Sequence, residues 1–599
     1  MPVLNGGKIL ILFKKPMNIN LKLIILPAAA LAFTNCQRTK APNVLLIITD
    51  DQGYGDLSYT GNPHLSTPNI DKLAGESIRF NNFYVCPVSA PTRSSLMTGR
   101  YSLRTGVHDT YNGGAIMAAN EITVAEILKE KGYRTGIFGK WHLGDSYPSR
   151  PVDQGFDESI VHLGGGMGQP GDFTTFVKGD SSYFDPVLWH NGIKQSYKGY
   201  CSDIFAGEAI NFISGTGDKP FFCYLSFNAP HTPLLVPVEY YTMFKDIDPS
   251  SGFENDNRPF NPMNENNKED ARKVYAMVKN IDDNIGKILQ KLDELSLTEN
   301  TIVIFMTDNG PQQLRYNAGM RGLKGSVYRG GVRVPFFMRY PRLSTVATDI
   351  NTSSANIDIM PTLAELCDAS VPSNRKIDGK SLVPLLKGVD VNWKERSLFF
   401  YWTRAYPELY NNVALQKGKY KLTGNTDYNS GIAGFELYDI ENDPYEQNNI
   451  IRDNISVAVS LKEEFDTYYK ELIQSPNLTD PQRIVLGNTN ENPVFLNRND
   501  TGGDRGIWTQ EEIFGKWRIS IQEGTYNIRC HFLDTLQRGG QMVIETGTII
   551  NQKRHFREGL SVLEMDNISY PAMNCDFIPF YQSGQKRILP LWIEVERIK

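Results

Sequence analysis

Two runs of residues fix the fold class before anything else is read. Asn43-Val44-Leu45-Leu46-Ile47-Ile48-Thr49 and Thr301-Ile302-Val303-Ile304-Phe305-Met306 are unbroken apolar stretches rich in β-branched side chains, each closed by a polar loop. A strand without polar alternation is buried on both faces, as in a parallel sheet covered by helices. Between Ala271 and Leu295, apolar residues from Val274 to Leu295 recur at helical spacing and lead straight into the second run. Strands alternating with helices predict an α/β fold with a doubly wound, mostly parallel sheet.

Both runs end in acids. Asp50-Asp51 follows the first, and Thr307-Asp308-Asn309-Gly310 follows the second. In open α/β sheets ligands gather beyond the carboxyl ends of the strands, so the two loops point to one shared site. Asp50, Asp51, Asp308 and Asn309 form a set of hard oxygen donors that suits Ca2+ or Mg2+ better than zinc. Taken singly, each acid reads equally well as a cap on the loop or helix that follows. No Cys/His cluster with zinc spacing competes.

Between Cys86 and Arg100 the chain reads C-P-V-S-A-P-T-R-S-S-L-M-T-G-R. Ser89-Ala90-Pro91-Thr92-Arg93 fits the pattern Ser/Cys-x-Pro/Ala-x-Arg, and Leu96, Thr98, Gly99 and Arg100 extend it. Cys86 is the rival nucleophile but fails on register, because Val88 and Ala90 stand where Pro/Ala and Arg are needed. Further along come Gly139-Lys140-Trp141-His142-Leu143-Gly144, then Ala229-Pro230-His231-Thr232-Pro233. Arg321-Gly322-Leu323-Lys324 and Gly330-Gly331-Val332-Arg333-Val334-Pro335 complete the series. Only eight histidines occur in 599 residues, and two fall inside these short motifs.

From about Asn43 to Pro335 the order and spacing of these motifs resemble type I formylglycine-dependent sulfatases, arylsulfatase-like members of the alkaline phosphatase superfamily. Weaker similarity continues through Asp378-Gly379-Lys380-Ser381-Leu382 and Tyr438–Pro444. The resemblance implies that Ser89 is oxidised to formylglycine and becomes the nucleophile. It implies one divalent cation, usually Ca2+, on Asp50, Asp51, Asp308 and Asn309, with residue 89 facing it. Arg93, Lys140 and Lys324 would stabilise sulfate oxygens. His142 would be the base that releases sulfate, while Lys324 and His231 contact the ester and assist the leaving alcohol. Since residue 89 is serine, a radical-type maturation enzyme is the implied partner. Arg329 departs from the family, whose members commonly carry Glu before the two glycines, and receives no catalytic role.

A net charge of −5 leaves no nucleic-acid footprint. Positive charge gathers locally at Arg321, Lys324, Arg329 and Arg333, which favours a pocket for a terminal sulfated sugar. Residues 1–36 read as a targeting segment. Lys22–Ala32 is an apolar core too short to span a membrane, Met17 is the more conventional start, and no later stretch qualifies as transmembrane. Cys36 is a candidate lipid anchor, with cleavage after Ala30-Leu31-Ala32 as the competing route. The expected location is the periplasm, or the outer membrane as a lipoprotein, of a Gram-negative bacterium.

The remaining organisation follows from shifts in pattern. Residues 43–382 form the expected catalytic domain. Residues 383–480 form a small α+β subdomain, with strands at Arg396–Trp402, Asn412–Leu422 and Phe435–Ile440 and a helix at Ser456–Ile473. Trp402 and Arg404 are candidates to reach substrate. From 482 to 599, alternation in Trp517–Ile521, Tyr526–Phe532, Met542–Glu545 and Leu591–Ile598 predicts a β-sandwich, either a sugar-binding module or a structural cap. The six cysteines beyond Cys36 are scattered; Cys223 reads as a buried thiol, and Cys530 with Cys575 is the one candidate disulfide. The expected function is an exported sulfatase of carbohydrate esters. The alternatives are a phosphomonoesterase or phosphonate hydrolase using unmodified Ser89, and a glycan-binding protein on a decayed scaffold. No catalytic position is missing, as decay would require.

Overall fold

Unbroken apolarity becomes parallel pairing at the centre of a ten-stranded sheet. The computed structural model describes residues 40–599 except 254–257, 389–392, 405, 505, 509 and 549. The expected targeting segment 1–36, with Cys36, lies outside the described residues. Strands β1 (Asn43–Thr49), β2 (Arg134–Lys140), β3 (Phe221–Ser226) and β4 (Thr301–Thr307) lie side by side in the order β4-β1-β3-β2, all parallel. Glu158–His162 adds a further parallel strand beside β2. Antiparallel strands flank the set, Phe336–Arg339 against β4 on one side and the hairpin Val187–Ser196 on the other. The sheet is therefore mixed: parallel in the middle, antiparallel where Phe336–Arg339 and the hairpin join it, and parallel again in the edge pair Ile78–Phe80 with Thr348–Ile350.

Alternate residues of β1 feed two separate cores. Val44, Leu46 and Ile48 pack with helix α1 (Ser89–Thr98) on one face; Leu45 and Ile47 pack with α2 (Cys201–Ser214) and α3 (Glu265–Glu294) on the other. Helices on both faces make the sheet doubly wound. The apolar stripe of α3 buries Met277, Ile281, Ile285, Ile288 and Leu292, each burial contributing roughly 1.5–3 kcal/mol. The helix begins at Glu265, ahead of the expected start at Ala271, because Asn264 and Asn267 form a reciprocal cap and Glu265–Asp270 adds a polar opening segment.

The antiparallel sheet that follows contains Ser397–Tyr401, Val413–Lys417, Tyr420–Gly424 and Phe435–Asp439, covered by the helix Ile455–Ile473. The single strand expected over Asn412–Leu422 is a hairpin. Lys417 pairs with Tyr420, and Gly418 takes φ 54°, the left-handed conformation that a tight two-residue turn needs at its first position.

Beyond residue 482, two sheets enclose a core that includes Leu486, Leu496, Trp517, Ile528, Leu563 and Phe577. Cys530 and Cys575 are free, not bridged. They sit on strands of the two opposed sheets, Cys530 opposite Leu563 and Cys575 opposite Ile519. Facing sheets lie about 10 Å apart, wider than the ~5.5–6 Å Cα separation usual for a disulfide. Cys223 is buried and free.

This sandwich is sewn to the catalytic sheet, and residues 41–599 form one compact unit. Lys194, on the edge strand Ile193–Ser196, puts its ammonium 3.8 Å from the centre of the Phe495 ring, 4.6 Å from Phe173, 4.9 Å from Trp592 and 5.3 Å from Trp189. Burial pushes that ammonium down to about 8, and the ring faces offset the lost hydration. Nearby, Asn497 Nδ2 donates to Asp145 at 2.7 Å, the Asp145 amide donates to Asp500 at 2.9 Å, and the Tyr147 amide to Glu491 at 2.6 Å.

These seam carboxyls are costly to ionise. Burial pushes Asp172 up to about 6 and Glu491 up to about 7, and raises Asp145 and Asp500 as well. A carboxyl with a raised native pKa stabilises the fold fully below its unfolded value, about 4, and loses that contribution as pH rises through the native value. The thermal midpoint should therefore fall between pH 5 and pH 8. Among the described residues, the Asp172 carboxyl is bonded by the hydroxyls of Thr174 and Thr175, which can reverse their bonds to suit an amide. Asp172→Asn should raise stability at pH 8 by about 2–3 kcal/mol, a few degrees by calorimetry, by about half that at pH 5, and change little below pH 4. Equal midpoints at pH 8 would refute this account of the seam.

Candidate active site

Register alone brings the two acid loops together. The β1–β4 ladder ends with Thr49 opposite Thr307, so Asp50 and Asp308 leave the sheet as neighbours, and the Asp308 amide donates to the Thr49 carbonyl at 3.1 Å. The Asp51 amide donates to Asp308 Oδ1 at 3.1 Å, and Asn309 Nδ2 to Asp51 Oδ1 at 2.8 Å. Asp51 holds φ 63° and His142 φ 62°, left-handed values that cost a non-glycine residue about 1–3 kcal/mol and persist only where the surroundings enforce them. For Asp51 the enforcement comes from a buried ion pair: Arg315 Nη2 donates to the Asp51 carbonyl at 2.8 Å while Nε binds Asp56 at 2.8 Å.

Three cations from three elements meet the three carboxylates. Arg93 on α1 binds Asp308 at 2.9 Å, Lys140 at the end of β2 binds Asp50 at 2.5 Å, and Lys324 binds Asp51 at 2.7 Å. Lys324 reaches the site because glycines let its loop lie flat on the next: Gly310 donates to the Gly331 carbonyl at 2.9 Å, and a Cβ on Gly310 would stand 1.9 Å from the Gly330 oxygen. Ser89 is the first residue of α1, whose N-terminal amides no side chain caps, so the positive end of the helix faces the site. Ser89 Oγ accepts from Arg93 Nε at 2.8 Å and lies 3.3 Å from His142 Nδ1. His142 Nε2 donates to the Thr110 carbonyl at 2.6 Å, which leaves Nδ1 as the unprotonated nitrogen facing Ser89. His231 Nδ1 likewise donates to the Thr232 carbonyl at 2.7 Å, leaving Nε2 3.7 Å from Asp51.

The electrostatics separate the groups. Burial, reinforced by Asp308, pushes Asp50 up to about 8. Asp51 is buried too, but the Lys324 charge and the bonds from Lys324 and Asn309 hold it well below the carboxylate range, while Arg93 and Lys140 lower Asp308 against its burial. Burial drives His142 well down, with Lys140 adding to it, and drives His231 down to about 3, with Lys324 adding, so both imidazoles are neutral. Burial opposes the charge on Lys324, yet Asp51 keeps it above its ordinary value.

The donor set fits a cation. Asp50 Oδ1 and Asn309 Oδ1 are buried with no hydrogen-bond partner, and ligand atoms of Asp50, Asp51 and His231 lie within 4.8 Å of one another. Crowded carboxyl oxygens with an orphaned amide oxygen are what a hard divalent ion would satisfy.

All ten residues singled out in the sequence converge here. The cluster of four cations does not. Among the described residues, Lys324 alone of the four lines the pocket over Ser89. Arg321 stacks on Tyr328 at 3.9 Å, Arg333 on Tyr54 at 4.2 Å, and Arg329 donates to the Ile440 carbonyl. Cys86 is not a rival: burial pushes its thiol up to about 11, and Ser95 is its neighbour at 3.9 Å. Trp402 and Arg404 do line the pocket. Sequence reasoning missed Tyr224 and Ser226, which hold the Arg93 guanidinium, and the Thr110 carbonyl that orients His142. A backbone carbonyl leaves no trace in residue identity.

The sulfatase family model matches residues 42–369, and a model described as N-sulphoglucosamine sulphohydrolase, C-terminal, matches residues 323–471. The chain is 31% identical to arylsulfatase A of Homo sapiens, over 69% of this chain and 84% of the relative. It is 27% identical to N-acetylglucosamine-6-O-sulfatase of Bacteroides thetaiotaomicron, over 76% of this chain and 90% of the relative. Among solved structures, Ps i-CgsB in complex with k-i-k-neocarrahexaose aligns with TM-score 0.63 at 28% identity, over 73% of this chain and 94% of that one.

The buried Asp56–Arg315 pair yields a test of how the Asp51 loop is held. Asp56→Ala orphans a buried guanidinium and should cost about 3–5 kcal/mol in urea unfolding. Adding Arg315→Met removes the orphaned charge and should recover part of the loss.

Proposed function

This chain belongs to the sulfatase family and is a sulfuric ester hydrolase, and from that premise we propose that it is an exported enzyme that removes sulfate from carbohydrates. It does so with a formylglycine made from Ser89 and one Ca2+. The observation that carries the reading is that Ser89, at a helix N-terminus with Arg93 and His142 against its Oγ, shares a pocket of about 500 Å3 with Lys140, Lys324 and His231. The sugar-directed names of two relatives support a carbohydrate substrate. Export to the periplasm or outer membrane rests on the N-terminal segment.

Asp50, Asp51, Asp308 and Asn309 would hold the cation, which when bound supplies positive charge to the sulfate oxygens. Formylglycine, hydrated, supplies a hydroxyl nucleophile together with a second hydroxyl that lets sulfate depart, which serine lacks. The chain's own groups do the rest. Arg93 fixes the oxygen of residue 89 and carries positive charge beside it. His142, neutral and turned by the Thr110 carbonyl, offers Nδ1 as the proton acceptor nearest residue 89. Lys324 keeps its charge, while neutral His231 has its one proton turned to the Thr232 carbonyl and away from the pocket, so Lys324 is the donor we assign toward the departing alcohol.

Two measurements test this reading. In protein matured alongside a serine-type radical enzyme, the peptide Phe80–Arg93 should be lighter by two hydrogens, and the protein should desulfate members of a panel of sulfated mono- and disaccharides. Ser89→Ala should be inert, and full turnover by unmodified protein would refute formylglycine. Chelation should abolish turnover, and Ca2+ at a hundred times its Kd should restore it and add about 2.7 kcal/mol of stability. Asp308→Asn should remove that thermal response, whereas full activity after chelation would exclude the metal.

A further inference from the structure

One wall of the pocket comes from a region beyond the family models, which end at residue 471. Gly506 and Trp508, in the β-rich segment, line the cavity together with Tyr111, Trp402 and Arg404. Trp508 meets Tyr111 edge to face, with ring centres 5.1 Å apart at 64°. The Arg404 guanidinium lies 4.9 Å from the centre of Tyr111 and 5.0 Å from that of Trp402, and donates to Thr110 Oγ1 at 3.0 Å.

Trp508 follows Ile507, a residue fully buried in the sandwich core. Arg498 donates to the carbonyls of Ile507 at 3.1 Å, Gln510 at 2.9 Å and Leu589 at 2.9 Å, tying the turn to the sandwich. Across the seam, Asn112 Nδ2 donates to the Gly503 carbonyl at 3.2 Å and the Gly113 amide to the Asn499 carbonyl at 3.3 Å. The loop so clamped carries Tyr111 and also Thr110, whose carbonyl orients His142. A half-buried indole beside a polar cavity is a stacking platform for a ring with apolar faces. The cavity, about 500 Å3, is larger than a single sulfated ring fills.

We propose that Trp508 is a specificity-determining residue that stacks on the sugar ring adjoining the sulfated one, so that the enzyme selects a sulfated di- or oligosaccharide over a sulfated monosaccharide or an aryl sulfate. This rests on the carbohydrate-sulfatase reading above. The test compares the preferred sulfated disaccharide of a panel with its constituent sulfated monosaccharide and with 4-methylumbelliferyl sulfate. Trp508→Ala should lower the ratio of kcat/KM for disaccharide over aryl sulfate at least tenfold, through KM. Trp508→Phe should keep that ratio within about threefold of the parent. Titration calorimetry of the same sugars against Ser89→Ala protein, with and without Trp508→Ala, reads binding without turnover. An unchanged ratio, or equal losses on all substrates, would overturn the proposal, as would disaccharide binding no tighter than monosaccharide binding. If no sulfate ester is turned over yet disaccharide affinity depends on Trp508, the catalytic reading fails and the stacking site stands.

Discussion

Three buried carboxylates crowded at the end of one sheet are the constraint on which the molecule depends. Asp50 and Asp308 are adjacent because β1 and β4 pair in register, and Asp51 follows in a strained turn. Buried like charges repel strongly where water is excluded, so this arrangement survives only with compensation. It arrives from α1 through Arg93, from β2 through Lys140 and from the glycine-packed loop through Lys324. Each cation also faces the pocket or its nucleophile. The contacts that make the sheet edge tolerable therefore assemble the site, and a divalent ion would relieve what remains, most directly at Asp50.

How much of this the sequence disclosed depends on whether a pattern was local. The central strands were legible because their apolar runs are unbroken, and the acids because they follow those runs directly. The hairpin at Gly418 was hidden because polar and apolar residues mix in both arms without a break in pattern, and one glycine is a weak break. In the sandwich, Val562–Tyr570 escaped notice because the period slips at a bulge near Asn567, which takes φ 60°. Met573–Ser583 carries Pro579 in mid-strand, paired with Ile544, a residue that ordinarily argues against a central strand. Arg321, Arg329 and Arg333 looked like one basic patch because they are close in sequence. The chain turns between them and spends three of the four charges on aromatic faces and carbonyls.

The least legible feature is how the last hundred residues serve the site. Alternating strands announce a sandwich, but nothing local says which surface it meets. The seam is made of groups that each need the other side. Lys194 of the catalytic sheet is desolvated among rings that include Phe495 and Trp592 of the sandwich. Asp145 is bonded by Asn497 and bonds Asp500. Without the sandwich, the aromatic faces around Lys194 would meet water and Asp145 would lose a partner, so the region is a structural part of the unit.

From this seam follows a physical link between the sandwich and the chemistry. A carbonyl orients an imidazole only as well as its own loop is fixed, and the loop bearing Thr110 is held from outside by Gly503 and Asn499. Along the catalytic sheet, His142 stands at φ 62°, a conformation the chain does not adopt unaided. Its backbone amide binds the Leu163 carbonyl at 2.9 Å and its ring binds Thr110, so the sheet fixes where the imidazole stands while the clamped loop fixes which nitrogen faces Ser89. Catalytic precision of this kind is a property of the support rather than of the residue. In this chain the support crosses from the conserved-looking sulfatase core into a domain whose identity the core motifs never mention.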